Sequence, residues 1–172
     1  MDIFGSLISW FQTMWDDAKF ILFVLQYEEG VLYRRGKLIK SLSPGAHLKI
    51  PFIDTYHLEN VKADTMNIIP VTVTTLDNKT IMIGCEFDFY IGDIIQAVVE
   101  TNDWRSNLHD ICMGVLSDHL EDCYWEDIKK KTVKNQIFKR IEKRALEMGV
   151  VVSNFNFTEK AITRALSISK PF

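Results

Sequence analysis

The sequence predicts an α+β domain in which a mainly antiparallel sheet carries helices on one side. Three features lead to this prediction. β-Forming stretches separated by turns that contain glycine and proline occupy residues 27–61. A long hairpin with alternating polar and apolar residues follows over residues 65–90. Residues 104–148 then show apolar stripes at helical spacing, and a last strand follows them.

Residues 27–54 read YEEGVLYRRGKLIKSLSPGAHLKIPFID and predict two short strands separated by tight turns. Residues 31–33 are β-forming and lie between two glycines, so they predict the first strand. Gly36 permits the positive φ that a tight turn requires, and the Ser-Pro-Gly sequence at 43–45 predicts a second turn. Residues 47–50 alternate polar and apolar side chains, which is typical of a half-buried strand.

This spacing resembles the opening of the band 7 (SPFH) domain of stomatins, prohibitins and their bacterial or phage relatives. In that family a strand and turn with Gly, Arg and Gly lead to a Pro-Gly turn and then to a Pro-Phe-x-Asp segment. The matching positions in this chain are Gly30, Arg34, Gly36, Pro44, Gly45, Pro51 and Asp54. The resemblance implies an SPFH domain with a strongly curved sheet. The competing interpretation is an ordinary two-stranded meander with a Pro-Gly turn.

Two later segments also resemble this family. An Ile-Pro pair at 69–70, a Thr-Leu-Asp turn at 75–77 and Tyr90 occur in the family's order. Gly149, followed by a strand over residues 150–157, resembles the end of the band 7 domain. The resemblance therefore extends over most of the chain, and it supports a fold more directly than a function.

The predicted boundaries divide the chain into three parts. Residues 1–19 form an amphipathic anchor helix, residues 20–158 form the SPFH domain, and residues 159–172 form a short helix that Thr158 caps. In the family this last helix continues into a long coiled coil, whereas these residues contain no sustained heptad. Strict alternation in the last strand would place Val151, Ser153, Phe155 and Phe157 on one face.

The first helix is predicted to contact a membrane. Its uncharged run of 13 residues at 3–15 is about 20 Å long, which is too short for a hydrocarbon core of ~30 Å. We therefore expect it to lie in the interface or to insert partly. The residues predicted to contact lipid are Ile3, Phe4, Leu7, Ile8, Trp10, Phe11, Met14 and Trp15.

An alternative for this helix is packing against a neighbouring subunit or against the domain's own sheet. Residues 1–19 contain three aspartates and one lysine, so they offer nothing that attracts anionic lipid. The resemblance favours the membrane, because band 7 proteins usually begin with a short hydrophobic anchor. This chain has no cysteine there, so S-acylation is not available.

After a short helix over residues 92–100, two longer helices are predicted. The first covers residues 104–123, with Asn102 or Asp103 as its N-cap. The second runs from residue 125 or 126 to Met148 and is broken near Lys131. Its inner face is predicted to comprise Ile128, Val133, Ile137, Ile141 and Leu146. Its outer face is basic but lacks aromatic residues for base stacking, so we interpret it as solvated or as pairing with an acidic neighbouring subunit.

No catalytic, cofactor-binding or metal-binding residue is predicted. Four residues of zinc-binding types occur in the first of these helices: His109, Cys112, His119 and Cys123. They spread over about 21 Å of helix, so one ion cannot reach them all, and we interpret them as core residues. Glu86 and Asp88 share a strand face and are interpreted as a solvated surface rather than an acid–base pair. The sequence contains no GxSxG, P-loop, GxGxxG or HExxH motif.

Composition narrows the class of protein further. The 172 residues carry a net charge of −3, which argues against a nucleic-acid partner. Three cysteines are too few for a disulfide scaffold, so reduced thiols are expected, with the domain on the cytoplasmic, reducing side of a membrane.

These observations predict a non-enzymatic, membrane-associated scaffold of the stomatin/prohibitin kind without a cofactor. The resemblance implies a homo-oligomer, ring-like or cage-like, that organises membrane or regulates a membrane protease or channel. The alternative is a soluble structural or assembly component, for example of a virus or phage, with the N-terminal helix buried between subunits.

Overall fold

The computed structural model describes residues 5–6, 8–9 and 20–162, and they form an α+β structure with three antiparallel sheets. The chain divides into two compact units, Met1–Lys62 and Ala63–Phe172, called the first and second unit below. The single domain predicted over residues 20–158 therefore consists of a part of each unit.

The described part of the first unit contains five strands in two sheets. They are β1 (Ile21–Val24), β2 (Glu28–Arg34), β3 (Lys37–Leu42), β4 (Gly45–Leu48) and β5 (Asp54–Asn60). Strands β1 and β4 form a two-stranded sheet, and the other three form a sheet in the order β3-β2-β5. Leu22 and Val24 from β1 pack with Leu32 and Leu42 in one buried cluster, against which Leu58 is partly buried.

The first of the two turns predicted in this unit is a tight turn, and the second is a bend at Pro44. Arg35 and Gly36 have φ angles of 51° and 77°, so the β2–β3 connection is a two-residue turn with both residues in the left-handed region. Gly45 follows the second turn with a φ of 134°, which also favours glycine. The strand expected at 47–50 is shifted to Gly45–Leu48 and pairs with β1.

The alternation of β4 is the reverse of the predicted one. His47 is half-buried whereas Leu48 is exposed. The register explains this, because it places His47 opposite the buried Leu22 and places Leu48 opposite the exposed Ile21. The strand period was correct, but the sequence did not reveal which face is covered.

The second unit is one sheet covered by helices. Its strands are β6 (Asp64–Thr74), β7 (Thr80–Ile91) and β8 (Val150–Ile162), in the order β6-β7-β8. Its helices are a π-helical turn (Gln96–Glu100), α1 (Trp104–Glu121), α2 (Trp125–Ile128) and α3 (Lys131–Leu146). Helix α1 packs on β6 and α3 packs on β8. The predicted N-cap is confirmed, since the Asp103 carboxylate accepts from the Ser106 N–H.

Burial in β7 follows the predicted alternation. Cys85, Phe87 and Phe89 are buried, and Phe89 makes an edge contact with Trp104 of α1 at 5.7 Å between ring centroids. Glu86 and Asp88 lie on the opposite, half-buried face. This face is hydrogen-bonded rather than simply solvated, because Asp88 accepts from the Thr65 hydroxyl at 2.7 Å and from Asn154 Nδ2 at 3.2 Å.

Several sequence-based expectations were wrong. One continuous sheet was expected, whereas the described strands form three sheets. After Pro44, β4 pairs with β1 and not with the sheet that contains β3. On α3, Leu146 is exposed and Ala145 takes its place in the buried stripe. One expectation for these helices was correct, because the predicted second helix is broken between α2 and α3.

The last strand also departs from the prediction. A register shift at Ser153 puts Val152 and Phe155 in the core, so strict alternation fails there. Strand β8 continues to Ile162, so no helix begins at Glu159 and Thr158 is not an N-cap. Residues 163–172, the rest of the predicted C-terminal helix, lie outside the described residues.

The Gly30 position tests the packing of the first unit. A Cβ at Gly30 would collide with the His57 carbonyl oxygen on β5, so Gly30→Ala should lower the free energy of unfolding by roughly 1–3 kcal/mol. The matched control is Gly114→Ala in α1, where a Cβ meets nothing within 4 Å and should add about 0.5–1 kcal/mol. Urea unfolding of both variants measures this, and equal effects of the two substitutions would contradict the packing.

Candidate functional site

The two-stranded β1–β4 sheet exposes an apolar face. Ile21 and Phe23 of β1 lie opposite Leu48 and Ala46 of β4, and all four side chains are exposed. Phe23 is 70% exposed and Leu48 is 74% exposed. We call these four residues the β1–β4 apolar face. Contiguous apolar surface of this kind usually marks a site where a protein meets a partner or a membrane.

This face is apolar for a reason that lies in the strand itself. Residues 20–25 are all apolar, so the inward residues Leu22 and Val24 fill the buried cluster and the alternate residues necessarily point outward. A strand that needed only one covered face would carry polar residues at positions 21 and 23. The apolar outer residues therefore suit a second covering on the outer side.

A loop after β4 presents another exposed aromatic side chain. Phe52 is 74% exposed and has a φ of 63°, a conformation that is rare for a bulky residue. The loop is closed at its base, where the Asp54 N–H donates to the Ile50 carbonyl at 3.0 Å and the Ile50 N–H donates to Asp54 Oδ2 at 2.8 Å. We call residues 50–54 the Phe52 loop.

The Phe52 loop is held by an ion pair between two residues of the family motif. Arg34 Nε lies 2.7 Å from Asp54 Oδ1, and a second guanidinium nitrogen lies 3.0 Å from Oδ2, so the contact is bidentate. The Asp54 side chain is fully buried, while that of Arg34 is 41% exposed. The Arg34 guanidinium, together with the Ile50 N–H, lowers the pKa of Asp54 to about 2. Asp54 is therefore charged at neutral pH.

The other motif positions shape the same unit. Gly30 allows β5 to approach β2, while Gly36 and Gly45 adopt positive φ angles. Pro44 lies in the bend between β3 and β4, and Pro51 lies in the Phe52 loop. The structure thus brings Arg34 and Asp54 together across 20 residues of sequence, and it gives the remaining motif residues backbone roles.

Most residues that the sequence predicted to contact lipid lie outside the described residues. Ile8 is described, and it is helical and exposed. The others are Ile3, Phe4, Leu7, Trp10, Phe11, Met14 and Trp15, for which the contact remains a prediction. Within the described residues, no helix has both the length and the apolar character needed to cross a bilayer.

The β1–β4 apolar face and the Phe52 loop were not predicted as surfaces from the sequence. The first signal was the apolar run at residues 20–25, because a strand with one face in solvent alternates apolar and polar residues. The second signal was three apolar residues spaced by two, Leu48, Ile50 and Phe52. All three are exposed, and the register with β1 shows the outward direction of Leu48.

The candidate chemical groups of the second unit lie within its core. Burial raises the pKa of the Cys85 thiol to about 12 and also raises that of Cys112, so both thiols are protonated. Burial lowers the pKa of His119, whose Nε2 has no hydrogen-bond partner within the described part of the chain. Among the described residues, no three His, Cys, Asp or Glu side chains are arranged to hold a metal ion.

Comparison with known proteins gives a consistent picture. The family model described as the SPFH domain / Band 7 family matches residues 22–165. An uncharacterized protein of Methanocaldococcus jannaschii is 22% identical over 144 residues, which cover 83% of this chain and 72% of that protein. Stomatin-like protein 1 of Homo sapiens is 26% identical over 138 residues, covering 79% of this chain and 35% of the relative.

A further relative is the protein HflC of Buchnera aphidicola, which is 26% identical over 83 residues. That alignment covers 44% of this chain and 26% of HflC. The chain therefore corresponds to only part of the length of stomatin-like protein 1 and of HflC.

Acid titration tests the Arg34–Asp54 ion pair. The pKa of about 2 in the folded protein lies below the ~3.9 of an unfolded aspartate, so the carboxylate stabilises the fold above about pH 4, and this contribution is lost as the pH falls through about 2. The Asp54→Asn variant should melt several degrees below the wild type at neutral pH, and this difference should shrink towards about pH 2.

Thermal melts followed by circular dichroism across this pH range measure the difference. Asp77, whose pKa is also lowered to about 2, is present in both proteins, so its titration cancels in the comparison. A melting difference that is the same at neutral and acidic pH would show that Asp54 does not act through its charge.

Proposed function

Because the chain belongs to the SPFH domain / Band 7 family, we propose that it is a non-enzymatic scaffold that attaches to a membrane surface and assembles with further copies of itself. Attachment is through the first unit, and the lipid-facing residues are the β1–β4 apolar face and the tip of the Phe52 loop. In the manner of the family it resembles, the scaffold would organise membrane or regulate a membrane protease or channel.

The observation that carries this proposal is the outward direction of Phe23 and Leu48. Both side chains leave most of their surface in water although the other face of the same sheet is a packed core. Each fully buried side chain of this size contributes about 1.5–3 kcal/mol, so covering the face with lipid is favourable. A bilayer covers a flat apolar surface without any need for matching shape.

Two lysine–tyrosine pairs of the first unit also suit a membrane interface. Lys49 lies 5.3 Å from the centroid of the Tyr56 ring, and Lys62 lies 4.5 Å from that of Tyr27. Tyrosine and lysine both place an apolar body in the interface and a polar end in water. The N-terminal helix would supply a second attachment, and two weak attachments in one chain reinforce each other.

Assembly with other copies is supported by the distribution of charge. Residues 20–62 contain six basic and four acidic side chains, for a net charge of +2, whereas residues 63–162 contain eleven basic and sixteen acidic ones, for −5. Opposite charges on two parts of one chain favour contacts between unlike surfaces of neighbouring copies, and such head-to-tail contacts form a ring when the rotation between copies closes. Several copies would also multiply the membrane attachment.

The alternative function, a soluble structural component, uses the same surface differently. The β1–β4 apolar face would then be buried between copies, and the protein would assemble without lipid. The face supports this alternative as a self-complementary apolar patch. The two functions differ in one observable, which is binding to vesicles.

Flotation with vesicles tests the proposal. Replacing both Phe23 and Leu48 by threonine keeps β-forming side chains but removes the apolar surface, so vesicle binding should weaken by roughly tenfold or more. The matched control is Ile69→Thr, which changes an equally exposed (74%) residue in the second unit and should float like the wild type.

Light scattering of the same samples separates the alternatives. Two results together would overturn membrane attachment and favour the soluble component. The wild type would stay at the bottom of the gradient with vesicles present, and the double variant would no longer form the assemblies that the wild type forms. Equal flotation of the wild type and the double variant would also contradict the proposal, since the face would then not contact lipid.

A further inference from the structure

Two exposed cations lie beside the Phe52 loop. The register places Arg34 opposite Lys37 on one side and opposite Asp54 on the other, so the β2–β3 turn and the Phe52 loop lie at the same end of the sheet. The Arg35 N–H donates to the Ile53 carbonyl at 3.3 Å, which joins the turn to the loop directly. An aromatic tip and a basic turn are therefore adjacent.

Two of the three charges at this turn have no ion-pair partner within the described part of the chain. Arg34 is paired with Asp54, but Arg35 and Lys37 are exposed and make no ion pair with any residue in the described part of the chain. The carboxylate of Asp54 is already occupied by Arg34 and by the Ile50 N–H. Two cations with free hydrogen-bond donors therefore face the solvent at this end of the sheet.

The backbone fixes where these groups lie. Arg35 and Phe52 are both non-glycine residues with positive φ, at 51° and 63°. A residue is kept in this region only where its surroundings determine it, here by the closed base of the loop and the bidentate ion pair. The backbone of the turn and of the loop is therefore held in place, and with it the points from which the Arg35 and Phe52 side chains extend.

We propose that Arg35 and Lys37 bind the anionic headgroups of a phospholipid bilayer while the Phe52 side chain enters the boundary of the acyl chains. The chemistry recognised is the phosphate or carboxylate of the headgroup, which a guanidinium and an ammonium bind by charge-assisted hydrogen bonds. This inference rests on the proposed membrane attachment and adds selectivity for lipid charge to it. A bilayer is favoured over a free anion because only a bilayer also covers Phe52.

Vesicles of two compositions test this inference. One set contains phosphatidylcholine alone, and the other contains phosphatidylcholine with about a third phosphatidylserine. A basic residue near an anionic surface strengthens binding by about fivefold, so the full-length chain should bind the anionic vesicles roughly 30-fold more tightly. Added salt should remove this preference, because it screens the headgroups.

Variants localise the effect to the turn. Arg35→Asn with Lys37→Gln should lose the preference for anionic vesicles and keep binding to phosphatidylcholine, and asparagine tolerates the positive φ at position 35. The matched control, Lys131→Gln with Lys139→Gln, makes the same change of charge at exposed residues of α3 and should keep the preference. Phe52→Asn should weaken binding to both kinds of vesicle.

Each of the following outcomes would contradict one part of the proposal. Equal binding of the wild type to both vesicle types overturns the inference and leaves the proposed membrane attachment intact. Binding to neither type contradicts the attachment itself. If the control pair loses the preference for anionic vesicles equally, the net charge of the whole chain causes that preference. The assignment to Arg35 and Lys37 is then overturned. If inorganic phosphate displaces the protein from anionic vesicles as effectively as added anionic vesicles do, the choice of a bilayer as the ligand is overturned.

Discussion

The bidentate ion pair between Arg34 and Asp54 is the contact on which the first unit depends. It joins the end of β2 to the start of β5, and the same carboxylate closes the base of the Phe52 loop through the Ile50 N–H. A buried carboxylate without its guanidinium would be an unpaired charge, so the two residues must be present together. The loop conformation, with Phe52 in the left-handed region, follows from this closure.

This constraint links the family motif to a surface. Glycines at positions 30, 36 and 45 serve a close strand approach or a positive φ, and Arg34 and Asp54 lock the ends of two strands. The consequence is a small β-structure that displays apolar side chains on one face and at one loop tip. The proposed scaffold would need this display to attach to a bilayer, because exposed apolar and basic groups strengthen binding to lipid.

The sequence predicted much of the fold for physical reasons that act locally. The Arg35-Gly36 turn, the N-cap at Asp103 and the alternation of β7 depend on neighbouring residues, and all three are present. Strand partners depend on distant residues, so the pairing of β4 with β1 was missed, and with it the outward direction of Leu48. The bulge at Ser153 and the extension of β8 to Ile162 were missed for the same reason. The site was predicted as motif positions, but identifying its exposed apolar surface required the register of β4 with β1.

The most direct test of the central claim is the depth of the Phe52 loop in a bilayer. A nitroxide attached at Phe52→Cys, in a chain whose half-exposed Cys123 is replaced by serine, reports collisions with oxygen and with a water-soluble nickel chelate. The account predicts that vesicles raise oxygen collisions and lower nickel collisions at position 52, and leave a nitroxide at Ile69→Cys unchanged. If the two positions respond alike, or if position 52 stays accessible to nickel, the loop does not enter lipid and the account is contradicted.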